Sequence, residues 1–137
     1  MDNIDGKLAR HTGKVSCFGA LYDSTMDRYG EVLFFFGSAY YFIQTGSMIT
    51  SLAVAIALGG SLMVSYVRAR SEGLGFDCKV GWMQRPERLI LMGMGCLIHH
   101  YAFAGAMWII AVLSNFTTFQ RLWHIREEDR KSKQATV

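Results

Sequence analysis

Cysteine, proline and, over long stretches, charge are what this chain lacks. Its 137 residues include one proline, Pro86, and three cysteines, Cys17, Cys78 and Cys96. The cysteines show no C-x-x-C spacing, and their odd number argues against a closed disulfide set, so they read as reduced thiols. No glycine-rich phosphate loop, nucleophilic Ser or Cys constellation or internal repeat is present. The absence of charge says most. Residues 32–67 contain no Lys, Arg, Asp or Glu, and neither do residues 89–120. A soluble bundle would place charge on the outer face of each helix. Uncharged, largely apolar runs of this length read instead as membrane spans. The class expected is all-α: a polytopic transmembrane helix bundle of one domain.

The charge that is present is segregated. All fourteen Lys and Arg fall within 7–28, 68–88 and 121–133. The turns expected around Gln44–Ser47 and His99–Gly105 have none. Basic blocks mark the cytoplasmic side. The simplest topology has about four crossings, with the three blocks inside and both uncharged turns outside. One span ends near Gln44, and the next runs over Met48–Val67. Ala53, Ala57, Gly60 and Ser61 give that second span a stripe for close helix packing. Two short spans of about 15–17 residues fill 89–120, turning near His100–Gly105. Residues 1–126 form the membrane-embedded domain, and 127–137 a loose, charged cytoplasmic tail. The charged N-terminus has no apolar core segment and does not read as a signal peptide. There is no sign of nucleic-acid binding.

Four carboxylates stand out against this background. Asp2 and Asp5 are three apart, and Asp23 and Asp27 four apart, so each pair lies on one helix face. Gly6 and Ala9 continue the first stripe, and Gly19 lies one turn before Asp23. These bare positions let a ligand approach the backbone. Thr12-Gly13 reads as a helix stop and Ser16 as the next N-cap, so the pairs belong to two helices. Four converging carboxylates would repel one another, and a divalent cation removes that cost. Oxygen donors in this number suit Mg²⁺, Mn²⁺ or Ca²⁺ rather than zinc.

The pattern D-x-x-D-G-x-x-A-R, eight residues, then G-x-x-x-D-x-x-x-D resembles the signature of the CDP-alcohol phosphatidyltransferase family, with every fixed position filled. The resemblance implies an enzyme that moves a phosphatidyl group from CDP-diacylglycerol to an alcohol and releases CMP. It also implies Mg²⁺ or Mn²⁺ as cofactor, the inner or plasma membrane as location with the site facing the cytoplasm, and a homodimer. Asp2, Asp5, Asp23 and Asp27 are then the expected metal ligands. Asp27, the last acid of the signature, is also the expected catalytic base. Gly6, Ala9, Arg10 and Gly19 are expected to contact the CDP-lipid, Arg10 either bracing the carboxylates or touching a phosphate. Members of the family carry helices ahead of the first acid, which is residue 2 here. The chain is therefore read as lacking them.

A second cluster is basic: Arg68, Arg70, Lys79, Arg85 and Arg88. Ordinary positive-inside charge would explain it. So would a pocket for an anionic acceptor, since arginines bind phosphate bidentately and Pro86 sets up a helix start next to it. The stretches S-Y-V-R-A-R-S-E-G-L-G and V-G-W-M-Q-R-P-E-R-L resemble the phosphatidylinositol phosphate synthase branch. That resemblance implies acceptor-phosphate binding by Arg68 and Arg88, with Arg85 beside them, and a phosphorylated polyol, inositol phosphate, as acceptor. Glycerol 3-phosphate meets the same charges. Two other classes compete: a divalent-cation transporter, which would need polar residues continuing to the outer face, and a non-catalytic membrane fragment.

Overall fold

The computed structural model describes the backbone of residues 2–136 and the side chains of residues 17–136. Four helices follow one another: α1 (Asp2–Gln44), α2 (Met48–Gly73), α3 (Arg85–Ile98) and α4 (His100–Ala135). No strand occurs among the described residues. The chain is a helical membrane protein, and α2 and α4 are each long and apolar enough to cross a bilayer. The chain divides into two compact units, residues 1–34 and 35–137.

The first unit is the N-terminal part of α1. The stop expected at Thr12-Gly13 does not form, and Ser16 is not a cap, because α1 runs unbroken through both. One glycine costs a helix only about 1 kcal/mol, and Leu8, Ala9, Arg10 and Lys14 around it favour helix. No proline lies anywhere in α1 to force an end.

In the second unit, α1 closes at Gln44, and Gly46 turns the chain with φ +78. The α2 stripe packs as expected, within the chain. Ala53, Ala57, Gly60 and Ser61 are all buried. A Cβ on Gly60 would lie 3.0 Å from Ser114 Cβ and 3.1 Å from Asn115 N, so α2 and α4 touch almost backbone to backbone. Gly95 does the same for α3, where a Cβ would stand 2.8 Å from Ala106 Cβ. Phe42, Val54, Met92, Phe103, Met107 and Ile110 fill the core between these contacts. Outward, Ile49, Leu52, Leu97, Val112 and Phe119 are exposed. Such a surface suits lipid rather than water.

Both uncharged turns come to one end of this unit. Tyr41 Oη lies 3.1 Å from His100 Nδ1, and the Phe42 and Phe103 rings stack at 5.2 Å. The second turn is tighter than expected and falls on His99 alone, whose φ of −170 and ψ of 160 separate α3 from α4. The expected loose tail is instead helix. α4 continues to Ala135, supported one turn apart by Lys133 Nζ on Asp129 Oδ2 at 2.8 Å. Glu or Asp placed four residues ahead of Lys is the favourable order on a helix.

Candidate functional site

Two sets of side chains carry the chemistry expected from the sequence, one in each unit. In the first unit the site is a single stripe on α1. Gly19, Asp23 and Asp27 follow at four-residue intervals, and Glu31 extends the row by another turn. Asp23 is exposed, Asp27 is half-buried, and Glu31 is only 5% exposed. Burial thus deepens along the row. A Cβ at Gly19 would meet nothing within 4 Å, so the face beside Asp23 is open. Glu31 is not among the residues expected from the sequence, although its i+4 spacing from Asp27 is a signal for it.

The donors of this stripe are carboxylate oxygens, the chemistry that Mg²⁺ and Mn²⁺ prefer. Asp23 and Asp27 could each offer one. The side chains of Asp2, Asp5, Gly6, Ala9 and Arg10 lie outside the described residues. On an unbroken α1, however, the Asp5 and Asp23 backbones are separated by about 27 Å. The structure therefore does not bring the first acidic pair to the second. Among the described residues no three His, Cys, Asp or Glu side chains converge.

In the second unit the basic residues flank one loop, residues 74–84. Arg68 is exposed near the end of α2, with its Nε 3.1 Å from Glu72 Oε1. Arg85 and Arg88 share the first turn of α3, entered through Pro86 as the sequence predicts. Arg85 is half-buried, and Arg88, at 1% exposure, is among the most deeply buried side chains of the protein. Lys79 stays at the surface, 3.3 Å from Asp77. A charge that serves only to set topology has no reason to be buried, so the burial of Arg88 separates it from Lys79 and Arg70.

In the sequence Arg121 is only one of the basic residues that mark topology. The structure buries it to 2% exposure and aims it at main chain: Nη1 donates to Val64 O at 2.7 Å and Nε to Val80 O at 2.8 Å. No local pattern announces this, because its acceptors are 57 and 41 residues away.

The described residues thus carry a stripe of acids on one helix and a buried arginine in the first turn of another, groups of the kind that bind metal ions and phosphate. The comparisons make the class definite. The family model described as CDP-alcohol phosphatidyltransferase matches residues 1–119, and the chain belongs to that family. It is 37% identical to the archaetidylinositol phosphate synthase of Methanothermobacter thermautotrophicus, over 91% of this chain and 64% of the relative. It is 35% identical to the phosphatidylinositol phosphate synthase of Streptomyces avermitilis, over 99% of this chain and 61% of the relative. Among solved structures it resembles the phosphatidylinositol phosphate synthase of Mycobacterium tuberculosis with CDP-DAG bound, at a TM-score of 0.68 and 32% identity, covering 77% of this chain and 57% of that one. A second structure of that enzyme, in complex with manganese and citrate, matches with a TM-score of 0.69. The chain thus spans about three fifths of the length of the curated relatives it matches.

Proposed function

We propose that this chain is a phosphatidylinositol phosphate synthase-like enzyme, which transfers a phosphatidyl-type group from CDP-diacylglycerol to inositol phosphate and releases CMP. The observation that carries this reading is the Gly19–Asp23–Asp27 row on α1, whose spacing and open face suit a metal-bound nucleotide diphosphate, in a chain of this family. The names of its relatives supply the acceptor. The basic residues Arg68, Arg85 and Arg88 supply the charge that an acceptor phosphate needs.

Asp2, Asp5, Asp23 and Asp27 would hold a divalent cation, Mg²⁺ or Mn²⁺, whose charge offsets that of the donor pyrophosphate. Carboxylates from both halves of the signature are needed for this. The reading therefore includes a bend at Thr12-Gly13 in the working state that returns Asp2 and Asp5 to Asp23 and Asp27. Asp27 takes the proton of the attacking acceptor hydroxyl. The new P–O bond forms to that oxygen as the bond to CMP breaks, and CMP leaves with the electron pair. Gly6, Ala9 and Gly19 give the nucleotide close access to backbone, and Arg10 braces the carboxylates or touches a phosphate. Arg68, Arg85 and Arg88 bind the acceptor phosphate. The site faces the cytoplasm, as the basic blocks require, and the working form is a homodimer in membrane lipid.

The test is CMP release by the purified chain with CDP-diacylglycerol and Mn²⁺ or Mg²⁺. Inositol phosphate should stimulate release well above glycerol 3-phosphate, and omission of acceptor or metal should abolish it. Release that ignores the acceptor, or no release with any, would sink the assignment.

A further inference from the structure

We propose that the lipid-facing side of α4, where the helix leaves the bilayer, is a binding site for the phosphate of an anionic phospholipid, formed by Arg126 and Arg130 next to Trp123. Val112, Phe116, Phe119, Trp123, Arg126 and Arg130 follow one another at alternating spacings of four and three residues. That spacing keeps them on one stripe of the helix. Val112, Phe116, Phe119 and Trp123 are all exposed. Ile110, Ser114, Thr117 and Arg121, on the opposite side, are buried against the rest of the bundle. The stripe thus faces lipid, and its last two members are arginines. Trp123, Arg126, Glu127 and Arg130 line a surface recess of about 180 Å³.

The depth of the recess fits the ligand. A hydrocarbon core of about 30 Å takes about 20 helical residues, which from His100 ends at Phe119. Trp123 then lies about 6 Å beyond that boundary, in the headgroup layer where an indole is favoured. Arg126 and Arg130 follow at about 10 and about 16 Å. Helical side chains lean toward the N-terminus of their helix, here back toward the membrane. Arg126 therefore meets the phosphates, and Arg130 closes the recess from the water side. Most of the acids on this part of α4 are drawn elsewhere: Asp129 pairs with Lys133, and Glu128 stands 4.0 Å from His124. Among the described residues neither Arg126 nor Arg130 forms an ion pair. Two planar forks one turn apart suit the oxygens of one phosphate. Glu127, at the edge of the recess, can accept a hydrogen bond from a headgroup hydroxyl, which makes phosphatidylglycerol the fitting probe.

The experiment reconstitutes the full chain, carrying W82F and W108F so that Trp123 is its one indole, in phosphatidylcholine vesicles. The vesicles contain a minor fraction of brominated phosphatidylglycerol or of brominated phosphatidylcholine. Bromine quenches indole emission at contact range, so the quenching reads which lipid sits at Trp123. Brominated phosphatidylglycerol should quench as though enriched about fivefold or more over its share of the bilayer, the effect of about 1 kcal/mol per arginine near a membrane surface. R126Q and R130Q should each lower the enrichment severalfold, and the double variant should match brominated phosphatidylcholine. K131Q removes a charge at the same height on another side of the helix and should change nothing. Equal quenching by the two lipids in the parent chain overturns the proposal. So does a K131Q loss equal to that of R130Q, which marks diffuse surface charge. Relief of the quenching by millimolar glycerol 3-phosphate also overturns it, since the recess would then take a soluble phosphate ester and not a lipid. No turnover is read, so the outcome does not depend on the reaction the chain catalyses.

Discussion

Asp27 occupies a position that neither neighbour in its row shares. Asp23 is open to water, Glu31 is enclosed, and Asp27 lies between them. A base that must bind a cation and still accept a proton needs such an intermediate place, reachable by substrate and partly shielded from solvent. Asp27→Asn keeps the shape and removes the basic oxygen. Acceptor-dependent CMP release should fall by about two to four orders of magnitude, the range for loss of a general base. Helix content by circular dichroism should be unchanged. A variant with near wild-type turnover would remove Asp27 from the reaction. The row was readable in the sequence because i+4 spacing is a local property. The burial of Arg88 and Arg121 was not, because it depends on partners brought in by the fold.

At the scale of elements, the helix ends in the uncharged regions and the stop within α1 behaved differently. The C-terminal end of α1 and the starts of α2 and α3 fall where the sequence places them, since Gly46 and Pro86 punctuate the chain there. Thr12-Gly13 is weaker punctuation, and the helix passes through it. Whether that segment bends is measurable. Spin labels at residues 3 and 26 would sit about 35 Å apart on one continuous helix. With Mn²⁺ replaced by diamagnetic Mg²⁺ and CDP-diacylglycerol added, and with the exposed Cys17 and Cys96 changed to serine, the separation should fall below about 20 Å if the acidic pairs meet. A distance that stays at the continuous-helix value would leave the four-acid site unformed. The α2–α4 contact allows a second test. Gly60→Ala puts a methyl 3.1 Å from the Asn115 backbone, whereas a Cβ at Gly59 meets nothing within 4 Å. Thermal unfolding in detergent should show Gly60→Ala destabilised by about 1–3 kcal/mol. Gly59→Ala should be neutral, or stabilised by up to about 1 kcal/mol through helix propensity.

For the bundle of residues 35–137, helix length and charge agree on where the membrane lies. A hydrocarbon core of about 30 Å takes about 20 helical residues. Counted from Met48, that reaches Val67, just before Arg68. Counted from His100, it reaches Phe119, just before Arg121. The Arg121 bond to Val64 O shows that the two helices are level at this end. α3 has 14 residues, about 21 Å, and starting from the same level as α4 it would stop about 9 Å short of the hydrocarbon boundary at the basic end. With a bilayer of that thickness, residues 74–84 would dip inward to join it, and Arg85 and Arg88 would lie below the surface plane. An arginine at that depth has to be enclosed by protein, as Arg88 is. This geometry predicts sidedness. In a background with Cys17 and Cys96 replaced, a membrane-impermeant maleimide should label Thr45→Cys and His99→Cys in intact cells. Lys79→Cys should react only after permeabilisation. Arg85→Cys should react slowly even then, because its depth, and not its side, limits access. Labelling of Lys79→Cys from outside would invert the bundle and put the basic loop on the face where no cytoplasmic phosphate ester could reach it.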